Sequence, residues 1–335
     1  MLKKINLMLL MSCVSVASLA RPLSEQAGWE RSLSLNAVYI AGKSQLSTNS
    51  DNKTTNNLNN SGQSHTNKIL FPISNVSYTL DTLKTQFYFD ANSSDQININ
   101  GFQYELGVKH QFKDDSKFTF AAFPQLSIYN DVWEDPFLTD SNREETKQSV
   151  GGARVAIEQV FASPFTLKYA VAHNHIDDEL SGQSSLQSSL LTSDEVDLLD
   201  RDGVYQRFTL ETMFPIQQGV FLKPVLEKNK RNAKGNANSF EGYVVKLSAL
   251  VFQPRSLWAT TISLGKEDYQ TDNPLFDKKQ DTQFVSLSSF YSYQNPLNLR
   301  DWSWTVLGSY TQRQSNITFY DSYSFAVITS MSYQF

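Results

Sequence analysis

Three residues invite chemistry first: His173 and His175 stand two apart, and Asp177 follows at the same interval. On a strand that spacing turns all three toward one side, the start of a metal site or of a hydrolase constellation. Two histidines supply only half of a transition-metal site, however. None of His65, His110, His173 and His175 is followed two residues later by a serine that would complete a hydrolytic pair. The segment Asp177 to Gly203 gathers Asp177, Asp178, Glu179, Asp194, Glu195, Asp197, Asp200 and Asp202. Hard oxygens of this kind suit a divalent cation, but the ordered spacing of a calcium loop is missing. Cys13 is the only cysteine. The sequence therefore assigns no catalytic residue, no metal ligand and no cofactor.

A second set of charges recurs at alternate positions inside apolar runs: Asp90, Glu105, Lys109, Arg154, Glu158, Lys168, Arg207, Glu211, Lys223, Glu227 and Lys246. The element that must carry them is a strand with one apolar and one polar face. Phe102, Tyr104, Leu106, Val108, His110 and Phe112 alternate with Gln103, Glu105, Gly107, Lys109 and Gln111, which gives one face for lipid and one for a polar interior. The same period places strands near 29–42, 69–80, 85–92, 101–112, 117–129, 148–161, 165–175, 204–216, 220–229, 239–252, 256–266, 281–293, 302–314 and 321–335. These are fourteen, an even number, as a barrel with both ends on one side requires.

The connections alternate in length. Lys113 to Ser116, Ala162 to Pro164, Gln217 to Gly219 and Gln253 to Arg255 are tight and carry turn residues. Lys43 to Lys68, Asn130 to Lys147 and Asp177 to Gly203 are long and polar. Short periplasmic turns and long extracellular loops are the pattern of outer-membrane barrels. Within the last loop, Leu186, Leu190, Leu191, Val196, Leu198 and Leu199 lie near helical spacing and predict a short lid helix over 184–199. Trp29, Trp133, Trp258, Trp302, Trp304, Tyr291 and Tyr293 fall near strand ends and read as interfacial girdles, and the Trp133 to Phe137 segment, rigid at Pro136, either anchors its loop at headgroup depth or folds inward to narrow the pore.

Composition agrees. Aromatic residues make up 13% of the 335 residues, yet mean hydropathy is −0.38, as expected when apolar positions alternate with polar ones. Residues 1–20 read as a signal peptide: Lys3 and Lys4, an apolar stretch from Leu7 to Ala17, then Ser18-Leu19-Ala20. Residues 21–335 then form one barrel. With Lys3 and Lys4 removed from the 29 basic residues, 27 remain against 34 acidic ones, a net charge of −7. That excludes nucleic acid as the partner, since phosphate binding needs a basic surface.

The final strand carries Tyr323, Phe325, Val327, Thr329, Met331, Tyr333 and Phe335 at alternate positions. It resembles the C-terminal signature of bacterial outer-membrane barrels, in which a terminal Phe with aromatic residues upstream is read by the barrel assembly machinery. That resemblance gives Phe335 and Tyr333 the role of an assembly signal. More narrowly, the Gly42 to Lys68 loop, the Trp133-Glu134-Asp135-Pro136-Phe137 segment and the last strand look like an outer-membrane family classed as a domain of unknown function. The expectation is an all-β, closed, antiparallel transmembrane barrel in the cell outer membrane, in contact with its lipids and lipopolysaccharide. Its interior charges would line a porin-like channel for small hydrophilic solutes. The alternative is a closed barrel that acts through its extracellular loops.

Overall fold

The computed structural model describes residues 23–91, 104–126, 131–160 and 163–335. The predicted signal segment and parts of four predicted strands and their connections, at 92–103, 127–130 and 161–162, lie outside them. The strands are β1 (Gly28–Lys43), β2 (Ser64–Thr79), β3 (Thr85–Asp90), β4 (Glu105–Gln111), β5 (Lys117–Leu126), β6 (Asp131–Trp133), β7 (Glu145–Glu158) and β8 (Phe165–Ile176). They continue as β9 (Gly203–Thr212), β10 (Phe214–Gln217), β11 (Val220–Ala233), β12 (Phe240–Gln253), β13 (Ser256–Asn273), β14 (Lys278–Gln294), β15 (Trp302–Ser315) and β16 (Ser322–Gln334). Two short helices, α1 (Gln183–Gln187) and α2 (Ser193–Asp197), interrupt the loop between β8 and β9.

Every stave pairs antiparallel with its neighbour in sequence, and β1 pairs with β16 from Ser32 opposite Gln334 to Lys43 opposite Tyr323. The wall is therefore closed. Its staves number fourteen: β9 and β10 are one stave broken at Met213, and β6 pairs only with β7, outside the wall. Closure matters because an open edge in hydrocarbon would leave backbone N–H and C=O groups without partners.

The two faces of each stave differ as period two requires. On β1, Leu33, Leu35 and Tyr39 are exposed whereas Ser32, Asn36 and Val38 are buried. Exposed apolar residues continue round the outside through Leu70, Phe87, Leu106, Phe120, Tyr169, Phe208, Leu226, Val245, Ile262 and Leu287. Water does not tolerate so long an apolar band on a folded monomer. At the end bearing the short turns, Trp29, Tyr291, Trp258, Trp304, Tyr333 and Phe335 stand on the outer face. Trp302 joins them against Tyr333, ring centroids 5.3 Å apart.

Candidate functional site: the barrel interior and its loop cap

All eleven charged positions read from the sequence fall on the inner face, and most are held in ion pairs. Arg154 donates from Nε and Nη2 to both oxygens of the fully buried Glu105, at 2.9 and 2.8 Å. The Tyr88 hydroxyl lies 3.3 Å from Arg154 Nη2. Gly107 makes this possible, because a Cβ there would sit 2.4 Å from the Tyr88 ring. Lys109 closes the group from above, 4.7 Å from the centre of that ring. Asp90 pairs in register with Glu105, and Glu158 with Lys117.

Further round, Glu211 accepts from Lys168 and Lys223, each at 3.1 Å. Glu227 accepts from Lys246 at 2.7 Å, and Arg207 donates to Asn229 at 2.9 Å. The sequence reading stopped at Lys246 and missed the next members. Glu267 on β13 pairs with Arg313 on β15, and Arg313 lies 4.9 Å over the ring of Phe284. Arg231 stacks at 5.0 Å on Tyr205. Parity counted from the outward Trp258, nine positions back along β13, would have turned Glu267 inward.

The second component is built by the long loops. Phe137 of the third loop, Leu191, Val196 and Leu199 of the fourth, Ala237 of the fifth, and Ile317 and Phe319 of the seventh form one buried apolar cluster. Leu58 of the first loop and Leu275 and Phe276 of the sixth pack against it. Phe137 and Phe319 approach to 5.1 Å between ring centres, although their loops rise from staves on nearly opposite sides of the wall. A fourteen-stave cylinder is roughly 28 Å across between backbones. Loops that meet from both sides of it must reach over the mouth, so they form a cap with its own core.

Polar clamps fix the cap. The buried Arg143 guanidinium donates to the carbonyl oxygens of Gln45 and Pro136 at 3.1 Å and to that of Asn52. It stacks on Trp133 at 4.7 Å, and Trp133 Nε1 donates to Ser47 O at 3.2 Å. Burial holds the Arg143 pKa down to about 10, with Asp135 opposing the shift. Asp135 accepts from the backbone amides of Phe137, Gly182 and Ser184 and from the Ser184 hydroxyl. Arg201 donates to Glu179 at 2.8 Å and to the carbonyl oxygens of Trp133 and Glu134. Burial pushes the Glu179 carboxyl above its usual range despite Arg201.

Two expectations are corrected here. Trp133 is not an interfacial anchor: it is 1% exposed and lies inside the cap, because Arg143 ten residues on and the first loop supply its partners. The single lid helix over 184–199 is two helices, since Thr192 and Glu195 form a capping box that starts α2 afresh.

His173 and His175 point outward at the rim. His175 Nδ1 lies 2.9 Å from Asp202, which also accepts from the Ile176 amide and from Lys234 at 3.0 Å. Burial raises the Asp202 pKa, but these bonds outweigh it and leave the carboxyl below its usual range. Among the described residues, no three His, Cys, Asp or Glu side chains are grouped to hold a metal ion.

A closed wall, an apolar outer band and a charged inner face define a membrane-spanning β-barrel of the outer-membrane type. The chain belongs to the family described as protein of unknown function (DUF2860), whose model matches residues 28–334. No curated protein matches it. Similar solved structures include the outer membrane channel DcaP of Acinetobacter baumannii, at 10% identity, covering 96% of this chain and 100% of that one, with a TM-score of 0.46. A FadL homologue of Pseudomonas aeruginosa is 11% identical, with coverage of 92% and 90% and a TM-score of 0.41. OmpT, an outer membrane protein of Vibrio cholerae, is 9% identical, with coverage of 93% and 99% and a TM-score of 0.40.

Proposed function

We propose that this protein is an outer-membrane channel that admits small hydrophilic solutes by passive diffusion, under a loop cap that governs entry. The observation that carries the reading is the inner face. Charged and hydroxyl side chains line a circumference wider than side chains alone can fill, and such a wall favours water and polar solutes. In this reading Asp90, Glu105, Lys109, Arg154, Glu158, Lys168, Arg207, Glu211, Lys223, Glu227 and Lys246 line the path. No catalysis and no cofactor enter it. The outer band meets lipid and lipopolysaccharide, and Tyr333 and Phe335 present the assembly signal on the outer face. The test is single-channel conductance of the refolded barrel in a planar bilayer, after heat-modifiable migration has confirmed folding. Stable ohmic steps support the channel, and silence from a folded barrel sinks it.

The packed cap favours a second reading, a closed barrel that binds partners through its surface loops. Deleting 44–63 then abolishes attachment to cells or lipopolysaccharide and leaves any conductance unchanged. Unaltered attachment would remove this alternative.

A further inference from the structure

One row of inward side chains breaks the polar pattern. Phe290 on β14 stands opposite Leu307 on β15, Leu307 opposite Ile328 on β16, Ile328 opposite Val38 on β1, and Val38 opposite Ile69 on β2. In the other direction Phe290 faces Ala259 on β13, Ala259 faces Leu250 on β12, and Leu250 faces Phe221 on β11. Eight consecutive staves thus contribute one apolar side chain each to a single row on the inside of the wall. Phe290, Leu307, Ile328 and Ile69 are half-buried and belong to no buried apolar cluster among the described residues.

The row is also oblique. Phe221 is the second residue of β11 from the short-turn end, whereas Ile69 is the sixth residue of β2 from the long-loop end. Staves lie about 4.8 Å apart and tilt by roughly 40°, so the row is about 34 Å long and climbs on the order of 22 Å. That approaches the height of the hydrocarbon zone. Polar side chains flank it: Ser248, Thr261, Ser288 and Ser309 on one side, Ser292, Thr305, Ser330 and Asn36 on the other, while Ala326 and Ile40 on the first side and Phe252, Leu257 and Phe71 on the second extend the apolar surface. Ser292 Oγ is buried without a hydrogen-bond partner. From Phe290 to Ile69 the row and its two borders hold no charged side chain.

We propose that this row is a sliding track for neutral oligosaccharides, an inference that rests on the channel reading and names its solute class. A sugar ring has an apolar C–H face and hydroxyls at its edge. An apolar row with a polar neighbour on at least one side at every stave from β12 to β2, most of them hydroxyls that both donate and accept, matches that cross-section along a chain of rings. An alkyl or aromatic solute would leave these polar neighbours, on both sides at β14 and β15 and on one side elsewhere, without a partner, and an ion would gain nothing from the apolar row.

The experiment adds maltohexaose and cellohexaose to the refolded protein, reading interruptions of single-channel current in a bilayer and heat of binding in detergent. The expected result is concentration-dependent interruption by at least one hexasaccharide, with half-blocking concentration raised about tenfold in Leu307→Ser or Phe290→Ser and restored in Phe290→Leu. Each variant is first checked for heat-modifiable migration. Conduction with neither interruption nor binding overturns the track and leaves the channel standing. Interruption by benzoate or hexanol but by neither hexasaccharide also overturns it. Binding without conduction overturns the channel and the sliding with it, leaving the row a binding surface, and the absence of both overturns both outright.

Discussion

Replacing Arg143 with Ala tests whether the cap is held by its clamps. The guanidinium is 1% exposed and serves three carbonyl oxygens, of Gln45, Asn52 and Pro136, besides stacking on Trp133. Charge-assisted bonds of this kind contribute about 2 kcal/mol each, and the stack about 1 kcal/mol. These are net of desolvating the cation, the same burial that holds its pKa down to about 10. Bonds sharing one guanidinium are not additive, and losing a buried charged group of this kind costs roughly 4 kcal/mol, which raises the open population of the first and third loops on the order of a thousandfold. Lys53 is the reporter, since it is exposed and its carbonyl accepts from the Arg143 amide at 2.8 Å. Tryptic cleavage after Lys53, followed by mass spectrometry on the folded barrel, tracks that population. Arg143→Lys falls between, because one ammonium cannot span three carbonyls in fork geometry. A cleavage rate for Arg143→Ala within threefold of the parent would refute the clamp.

Phe319→Ala removes the fully buried ring that meets Phe137, Phe276 and Tyr320. It should cost the cap about 3 kcal/mol and lengthen open dwell times in single-channel records. Glu211→Gln leaves Lys168 and Lys223 without their shared carboxylate. Reversal potentials in a salt gradient should then move toward anions by severalfold in permeability ratio. The Asp202–Lys234 pair at the junction of the fourth and fifth loops should lose its contribution only at the two ends of the pH scale. Asp202 has a lowered pKa, so its stabilisation is present above the unfolded carboxylate range and is lost as pH falls through the folded value. Lys234 has a raised pKa, so its share is lost only as pH rises through its folded value. The protection factor of the Ile176 amide, which donates to Asp202, taken relative to the intrinsic exchange rate at each pH, should fall at both extremes and hold steady between them.

The fourteen staves were legible because each outward row must be apolar along its length, and that constraint writes period two into the chain. Boundaries slipped where lipid no longer imposes it. Strand β13 runs on to Asn273, past the expected end at 266, with a register shift between Asp268 and Asp272. The cap was harder to read. Phe137, Leu199 and Phe319 are far apart in sequence and share no period, so nothing local says that they meet. Trp133 illustrates the difficulty: an aromatic beside a strand end suits a membrane interface and a buried cluster equally, and only the first loop decides. The capping box of Thr192 and Glu195, by contrast, was written in four adjacent residues. The inner apolar row lies between these cases, since each member is local but its alignment appears only when the register of eight staves is known.

The distribution of tryptophan gives the molecule a built-in optical reporter. Trp29, Trp258, Trp302 and Trp304 stand on the outer face at the short-turn end, whereas Trp133 alone sits in the dry interior of the cap. A lipid-borne quencher reaches the first four and an aqueous quencher reaches none of them in the bilayer as readily as a Trp133 freed into water. Fluorescence that becomes accessible to aqueous iodide therefore reports the cap lifting, in the unlabelled protein and in real time.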